Sequence, residues 1–226
     1  MNDTNILNHL FDKQIICPVC NSQFKAKTVK SKSPRVVSKD SDFFIRYSLV
    51  NPYFYDVLIC NSCGYAAMRS DFEKIKLHKK ELVFSNVTPK WKPRDYPDIL
   101  DEKLAIERYK LALLNAVLVN LPDSTKAMIS LKIAWLNRLL DNNTQETLFL
   151  KQALEGFTDA YINEIFPIYG LQRDSLMYLL GELSRKLGND ENALQWFSRT
   201  IVSTNSTNRI KELARIGKDS IKATNV

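Results

Sequence analysis

LICNSCGYAA, residues 58–67, closes a β-branched and aromatic run with a C-x-x-C pair, and CPVC, residues 17–20, has the same spacing. The two pairs hold all four cysteines of the chain, Cys17, Cys20, Cys60 and Cys63. A two-residue spacer lets one tight turn aim two sulfurs at one ion, and zinc takes four such ligands in a tetrahedron. Pro18 and Gly64 suit knuckle turns whose amides can also donate to the thiolates. The 39 residues between the pairs exceed usual ribbon spacing. Doubling a loop nevertheless costs only about 0.6 kcal/mol, whereas a structural zinc site in a small peptide is worth on the order of 10 to 16 kcal/mol.

One structural zinc ion on Cys17, Cys20, Cys60 and Cys63 is therefore the expected cofactor. Two disulfides, a redox pair and an iron–sulfur cluster are the competing readings. Disulfides need an oxidising compartment, and the amino terminus has no export-signal pattern. Neither pair opens a helix within a βαβ pattern, as a redox motif would. Four thiolates would close the zinc shell and leave no position for water or substrate, so the expected zinc holds the fold.

The pairs sit in a strand-like region. FKAKTVK alternates Phe24, Ala26 and Thr28 with lysines, and YFYDVLIC, residues 53–60, reads as a strand. Ser70 and Glu73 have capping-box spacing, predicting a short helix with Phe72, Ile75 and Leu82 on its buried side. Pro89, Pro93 and Pro97 then make residues 86–98 an extended connector. The expected domains are residues 1–95, zinc-ribbon-like with a basic insert, short helix and connector, and residues 96–226, helical.

Beyond Asp98 the apolar period becomes helical. Leu104, Tyr109, Leu111, Leu114 and Leu118 fall on one broad face, and further helices are predicted near 124–141, 144–162, 170–187, 190–203 and 207–222. AWLNRLLDNN (134–143) overlays GELSRKLGND (181–190), as stacked helical pairs do. Gly181, Gly188, Ala193 and Phe197 have tetratricopeptide-repeat spacing, although Ser184 and Thr200 depart from the usual tyrosine and alanine. The predicted class is α+β, mostly α: a small β-rich zinc-ribbon-like domain followed by a tetratricopeptide-like α-helical hairpin array.

CPVCNSQF, SKDSDFFIRY, NPYFYDVLICNSCGYAA, AWLNR and YLLGELSRKLGNDENALQWFSR together resemble the bacterial family of domain of unknown function 2225, from about Cys17 to Ile216. The resemblance implies the same zinc-ribbon-like front and tetratricopeptide-like back, and brings no activity with it. Outside the cysteines the matching positions are Arg35, Asp40, Asp42, Phe43, Tyr47, Asn51, Pro52, Tyr55, Gly64 and Tyr65. Many members carry another cysteine after the Asp-Phe pair, where this chain has Phe44. That departure weighs against thiol chemistry or a fifth ligand in the insert.

The formal charge of +7 belongs to the front: residues 1–95 hold 16 Lys+Arg against 9 Asp+Glu, and the remainder is balanced. Lys25, Lys27, Lys30, Lys32, Arg35 and Lys39 form a basic segment that could track phosphates, with Phe43, Phe44, Tyr47, Tyr53 and Tyr55 as stacking surfaces. The plainer reading is a solvated hairpin whose aromatics pack the core. Asp40 and Asp42 have no histidine, third carboxylate or phosphate loop beside them, and His9 and His78 lie in ordinary polar contexts. The aromatics of the helical part, Trp135, Phe149, Phe157, Tyr161, Tyr178, Trp196 and Phe197, read as packing between hairpins. No apolar run is long enough for a membrane helix.

The expectation is a cytoplasmic, non-enzymatic adaptor that binds a protein or peptide partner in a helical-repeat groove. A nucleic-acid-binding protein using residues 25–39 is the alternative.

Overall fold

The computed structural model describes residues 3–224, as three two-stranded β units followed by a run of helices. After a short helix α1 (Asp3–Leu7), β1 (Leu10–Ile16) pairs antiparallel with β2 (Gln23–Val29), with Leu10 opposite Val29 and Ile16 opposite Gln23. β3 (Arg35–Lys39) pairs with β4 (Ile45–Ser48), and β5 (Val57–Ile59) pairs antiparallel with β6 (Ala66–Met68). Each cysteine pair sits at the turn of a hairpin, CPVC between β1 and β2 and CNSC between β5 and β6.

Two local expectations change. The strand read from Tyr53 begins only at Val57, because the Asn51 side chain accepts from Tyr53 N (3.1 Å) and Pro52 starts a 3₁₀ turn over Pro52–Tyr55. The predicted Ser70–Glu73 capping box is not formed either. A 3₁₀ turn, Phe72–Lys74, stands there with no side-chain cap, and helix α2 starts at Leu77 and runs to Asn86. Phe72 and Ile75 are still buried, because the chain before the helix supplies the packing.

The remaining helices are α3 (Glu102–Leu118), α4 (Asp123–Leu139), α5 (Asn143–Asn163), α6 (Arg173–Lys186), α7 (Asp190–Val202) and α8 (Asn208–Thr224). Asp101 caps α3 by accepting from Leu104 N at 2.8 Å, and Asn189 caps α7 by accepting from Asn192 N at 3.2 Å. No helix among the described residues is long and apolar enough to cross a membrane.

The chain forms two compact units, and they divide elsewhere than at residue 95. The first takes the chain up to Ser38, then Ile45–Leu121 and Trp135–Asn143. Helix α3 belongs there because it buries Ala105, Tyr109, Ala112 and Ala116 and packs on β5 and β6. Its Arg108 donates to Val57 O at 2.6 Å and its Tyr109 hydroxyl bonds Asp56 Oδ2 at 3.2 Å. One core of this unit gathers Ile15, Val19, Leu58, Tyr65, Phe72 and Val83 around the cysteines.

The second unit comprises Lys39–Phe44, Pro122–Ala134 and Thr144 onward. In it, α6 carries the insert: Tyr178 donates to Ser41 O (2.8 Å), Ser41 donates to Glu182 Oε1 (2.5 Å), and the Phe43 ring lies 5.4 Å from that of Tyr178. Glu182 is buried and accepts two bonds from Arg185, at 3.0 and 2.7 Å.

The 47-residue offset is visible in backbone geometry. Asn142 N donates to Asn137 O and Asn189 N to Ser184 O, while Asp141 and Gly188, between them, both take positive φ (52° and 73°). In the second copy, Phe197 fills the space left by two glycines: a Cβ on Gly181 or on Gly217 would fall 2.7 or 2.6 Å from its ring. That contact explains the small and aromatic positions of the repeat.

Candidate metal centre

The cysteine knuckles are two copies of one turn. Cys17 N donates to Ser22 O and Asn21 N to Cys17 O (both 2.9 Å), while Cys60 N donates to Tyr65 O and Gly64 N to Cys60 O (both 2.8 Å). The fifth residue of each turn, Asn21 or Gly64, has positive φ (58° and 78°). Asparagine and glycine tolerate that region best, which accounts for the sequence there.

These turns converge four sulfurs. Cys17 Sγ lies 3.7 Å from Cys63 Sγ and Cys20 Sγ 3.5 Å from Cys60 Sγ, and the four ligand atoms all lie within 4.8 Å of one another. Four sulfurs at zinc–thiolate distance in a tetrahedron would be about 3.8 Å apart. A disulfide needs about 2.0 Å, and all four cysteines are unbridged. Cys17, Cys60 and Cys63 are buried, and Cys20 is partly so. The cluster could hold one metal ion.

The four thiols influence one another's ionisation. Hydrogen bonds with Cys17 and Cys63 push the Cys60 thiol far down, whereas contacts with Cys17 and Cys60, reinforced by burial, raise Cys63. Cys17 is pushed up to about 11, chiefly by its bond to Cys60. Thiols this close share their ionisation, and a bound dication is what allows all four to become thiolates. Ser22 Oγ, 3.1 Å from both Cys20 Sγ and Cys60 Sγ, adds a hydroxyl that can donate to one of them.

Residues of the proline-rich segment expected as a connector brace the second knuckle. Thr88 Oγ1 donates to Cys63 O (2.8 Å), Trp91 Nε1 to Asn61 O (2.9 Å) and Arg94 N to Asn61 Oδ1 (2.9 Å). From α3, Asn115 Nδ2 donates to Gly64 O at 3.3 Å. Lone polar residues carry no periodic signal, so this brace was not legible beforehand. The threonine and tryptophan among the prolines were its only trace.

The basic segment is less uniform than its sequence. Lys25, Lys30, Lys32, Arg35 and Lys39 are exposed. Lys27 instead bridges Asp12 and Asp98, at 3.0 Å each. Lys30 donates to Asn8 O (2.7 Å), and Lys39 sits 5.6 Å over the Phe43 ring. The aromatics offered for stacking are committed: Phe44 and Tyr55 are buried, and Tyr53 packs against Tyr47 and Trp135, with ring centroids 5.8 and 5.6 Å away. Asp42 is fully buried, His9 Nδ1 lies 3.0 Å from Ser33 Oγ, and His78 is exposed. None of these belongs to the four-cysteine group.

The family described as "Uncharacterized protein conserved in bacteria (DUF2225)" matches residues 10–221. An "Uncharacterized protein" from Borreliella burgdorferi (strain ATCC 35210 / DSM 4680 / CIP 102532 / B31) is 25% identical over 85 residues, covering 34% of this chain and 30% of that protein. No solved structure matches.

Proposed function

Starting from a chain that belongs to the bacterial DUF2225 family, we propose that it is a zinc-stabilised interaction protein rather than an enzyme. One zinc ion on Cys17, Cys20, Cys60 and Cys63 fixes the first unit, and the tetratricopeptide-like hairpins of the second hold a protein or peptide partner. The observation that carries the zinc is the sulfur geometry, with separations of 3.5 and 3.7 Å between the pairs. Bound there, zinc supplies rigidity and no open coordination position.

The partner reading is supported by the helical unit. Ile162, Ile165 and Val202 are 70%, 92% and 76% exposed, and α6–α7 pack as a hairpin through Gly181 and Phe197. Apolar side chains on a stacked-hairpin surface are what such units present to peptides. The test is a pull-down from bacterial lysate at low and high salt, with wild type and an Ile162→Ser/Ile165→Ser/Val202→Ser variant. A salt-resistant protein captured by wild type and lost from the variant is expected; equal capture by both contradicts a role for these exposed side chains.

The exposure of Lys25, Lys30, Lys32 and Arg35 favours nucleic acid as the second reading. Anisotropy with single-stranded RNA separates the two. Binding that falls steeply between about 50 and 200 mM salt, and weakens when Lys30, Lys32 and Arg35 become glutamine, would promote it.

A further inference from the structure

The first unit contains a cleft of about 490 Å³, lined by β2, the connector and α3, and its charges are unevenly satisfied. At the more exposed positions, Asp12 and Asp98 share Lys27. Arg94 is paired with Glu107 at 2.5 Å, and Glu107 also accepts from the Tyr96 hydroxyl at 2.9 Å. Arg108 differs from them all. Its Nη2 donates to a carbonyl, Val57 O, its guanidinium stacks 4.8 Å from the Tyr96 ring centre, and its buried Nε has no acceptor.

Among the described residues Arg108 forms no ion pair, and the Glu107 carboxylate acts on its buried charge only from a distance. Burial pulls its pKa down and the charge of Arg69 adds to that, while Tyr96 and Glu107 act in the opposite direction. Arg69 is itself half-buried, donating to the Lys27 and Tyr55 carbonyls at 3.2 and 3.1 Å, with Nη1 lacking an acceptor. Asp56 offsets part of the Arg69 charge and Glu107 part of that of Arg108, and a further anion in the cleft would offset the remainder. Lys25, exposed on β2, lines the same cleft and adds a second cation that forms no ion pair among the described residues.

We propose that this cleft is a binding site for a small phosphorylated, hydroxyl-bearing molecule. Arg108 and Lys25 match a dianionic phosphate, and the carboxylates of Asp12, Asp95 and Asp98 accept from hydroxyls. The volume falls within the roughly 300–1,000 Å³ of small-molecule sites and is far larger than a phosphate ion needs. One wall, Asn61 with Arg94, belongs to the braced cysteine knuckle.

The test is isothermal titration of the metal-loaded full chain with ribose phosphate and glycerol phosphate, against ribose and inorganic phosphate. Saturable binding of a sugar or glycerol phosphate is expected, at least tenfold tighter than inorganic phosphate, with no response to ribose. Lys25→Gln, an exposed substitution, should weaken it about tenfold, as loss of one charge-assisted contact does. Arg108→Gln should abolish it; if that variant does not fold, Arg108→Lys replaces it. Overturning results are no saturable binding of either phosphate ester at millimolar concentration, equal binding of ribose, or unchanged affinity in Lys25→Gln. Inorganic phosphate binding as tightly as the esters would overturn the organic ligand.

Discussion

The indole of Trp91 lies on Gly64, so closely that a Cβ at the glycine would stand 2.6 Å from Trp91 Cγ. This contact ties the proline-rich segment to the second cysteine turn, together with the Trp91 Nε1 bond to Asn61 O at 2.9 Å. Gly64 is therefore required twice, by its φ of +78° and by the ring above it.

Gly64→Ala should lower the stability of the first unit by at least about 1–3 kcal/mol, the usual cost of a strained backbone position. The clash with Trp91 adds to that. Metal chelation should red-shift Trp91 fluorescence in the wild type, and Trp91→Phe should remove most of that signal. A spectrum indifferent to chelation in both proteins would disconnect the segment from the metal turn.

Phe197 sits against both Gly181 and Gly217, with a Cβ at either meeting its ring below 3 Å. Phe197→Ala is expected to cost about 3–5 kcal/mol, as truncation of a buried phenylalanine does. Gly217→Leu should also destabilise the helical unit. Urea denaturation followed by circular dichroism measures both, and a change below about 1 kcal/mol for Phe197→Ala would refute this packing.

Burial raises the pKa of Tyr65, Tyr109 and Tyr178. A raised folded-state value means stability that is fully present below the unfolded tyrosine pKa, about 10, and is lost as pH rises above it. Each such group weakens folding by about 1.4 kcal/mol per pH unit in that window. Melting temperature should hold to about pH 10 and then fall steeply, while absorbance at the phenolate band shows these tyrosines ionising only as the protein unfolds. Early, reversible ionisation of all nine tyrosines of the chain would contradict it.

What the sequence made legible follows from periodicity and spacing. The C-x-x-C pairs foretold the cysteine cluster because their chemistry is written in adjacent residues, and α4 to α8 were read because apolar spacing and Asn/Asp/Gly stops define a helix locally. Attachments between distant segments left no such trace. Helix α3 joins the first unit through Tyr109 and Arg108, and Ser41 and Phe43 pack on α6 through Glu182 and Tyr178. Lys27 looked like one of six equivalent cations until the fold brought Asp12 and Asp98 to it. The Ser70–Glu73 pattern failed because a capping box needs a helix to follow at once, and the chain turns through Phe72–Lys74 before α2 begins.

Metal content by mass spectrometry, on wild type and Cys60→Ser purified without added metal, tests the four-cysteine zinc site directly. One zinc per wild-type chain is expected, and none in Cys60→Ser, whose first unit loses its fold while α6 to α8 keep much of the helical signal. Metal-free, fully folded wild type, or a Cys60→Ser protein that retains stoichiometric zinc, would contradict it.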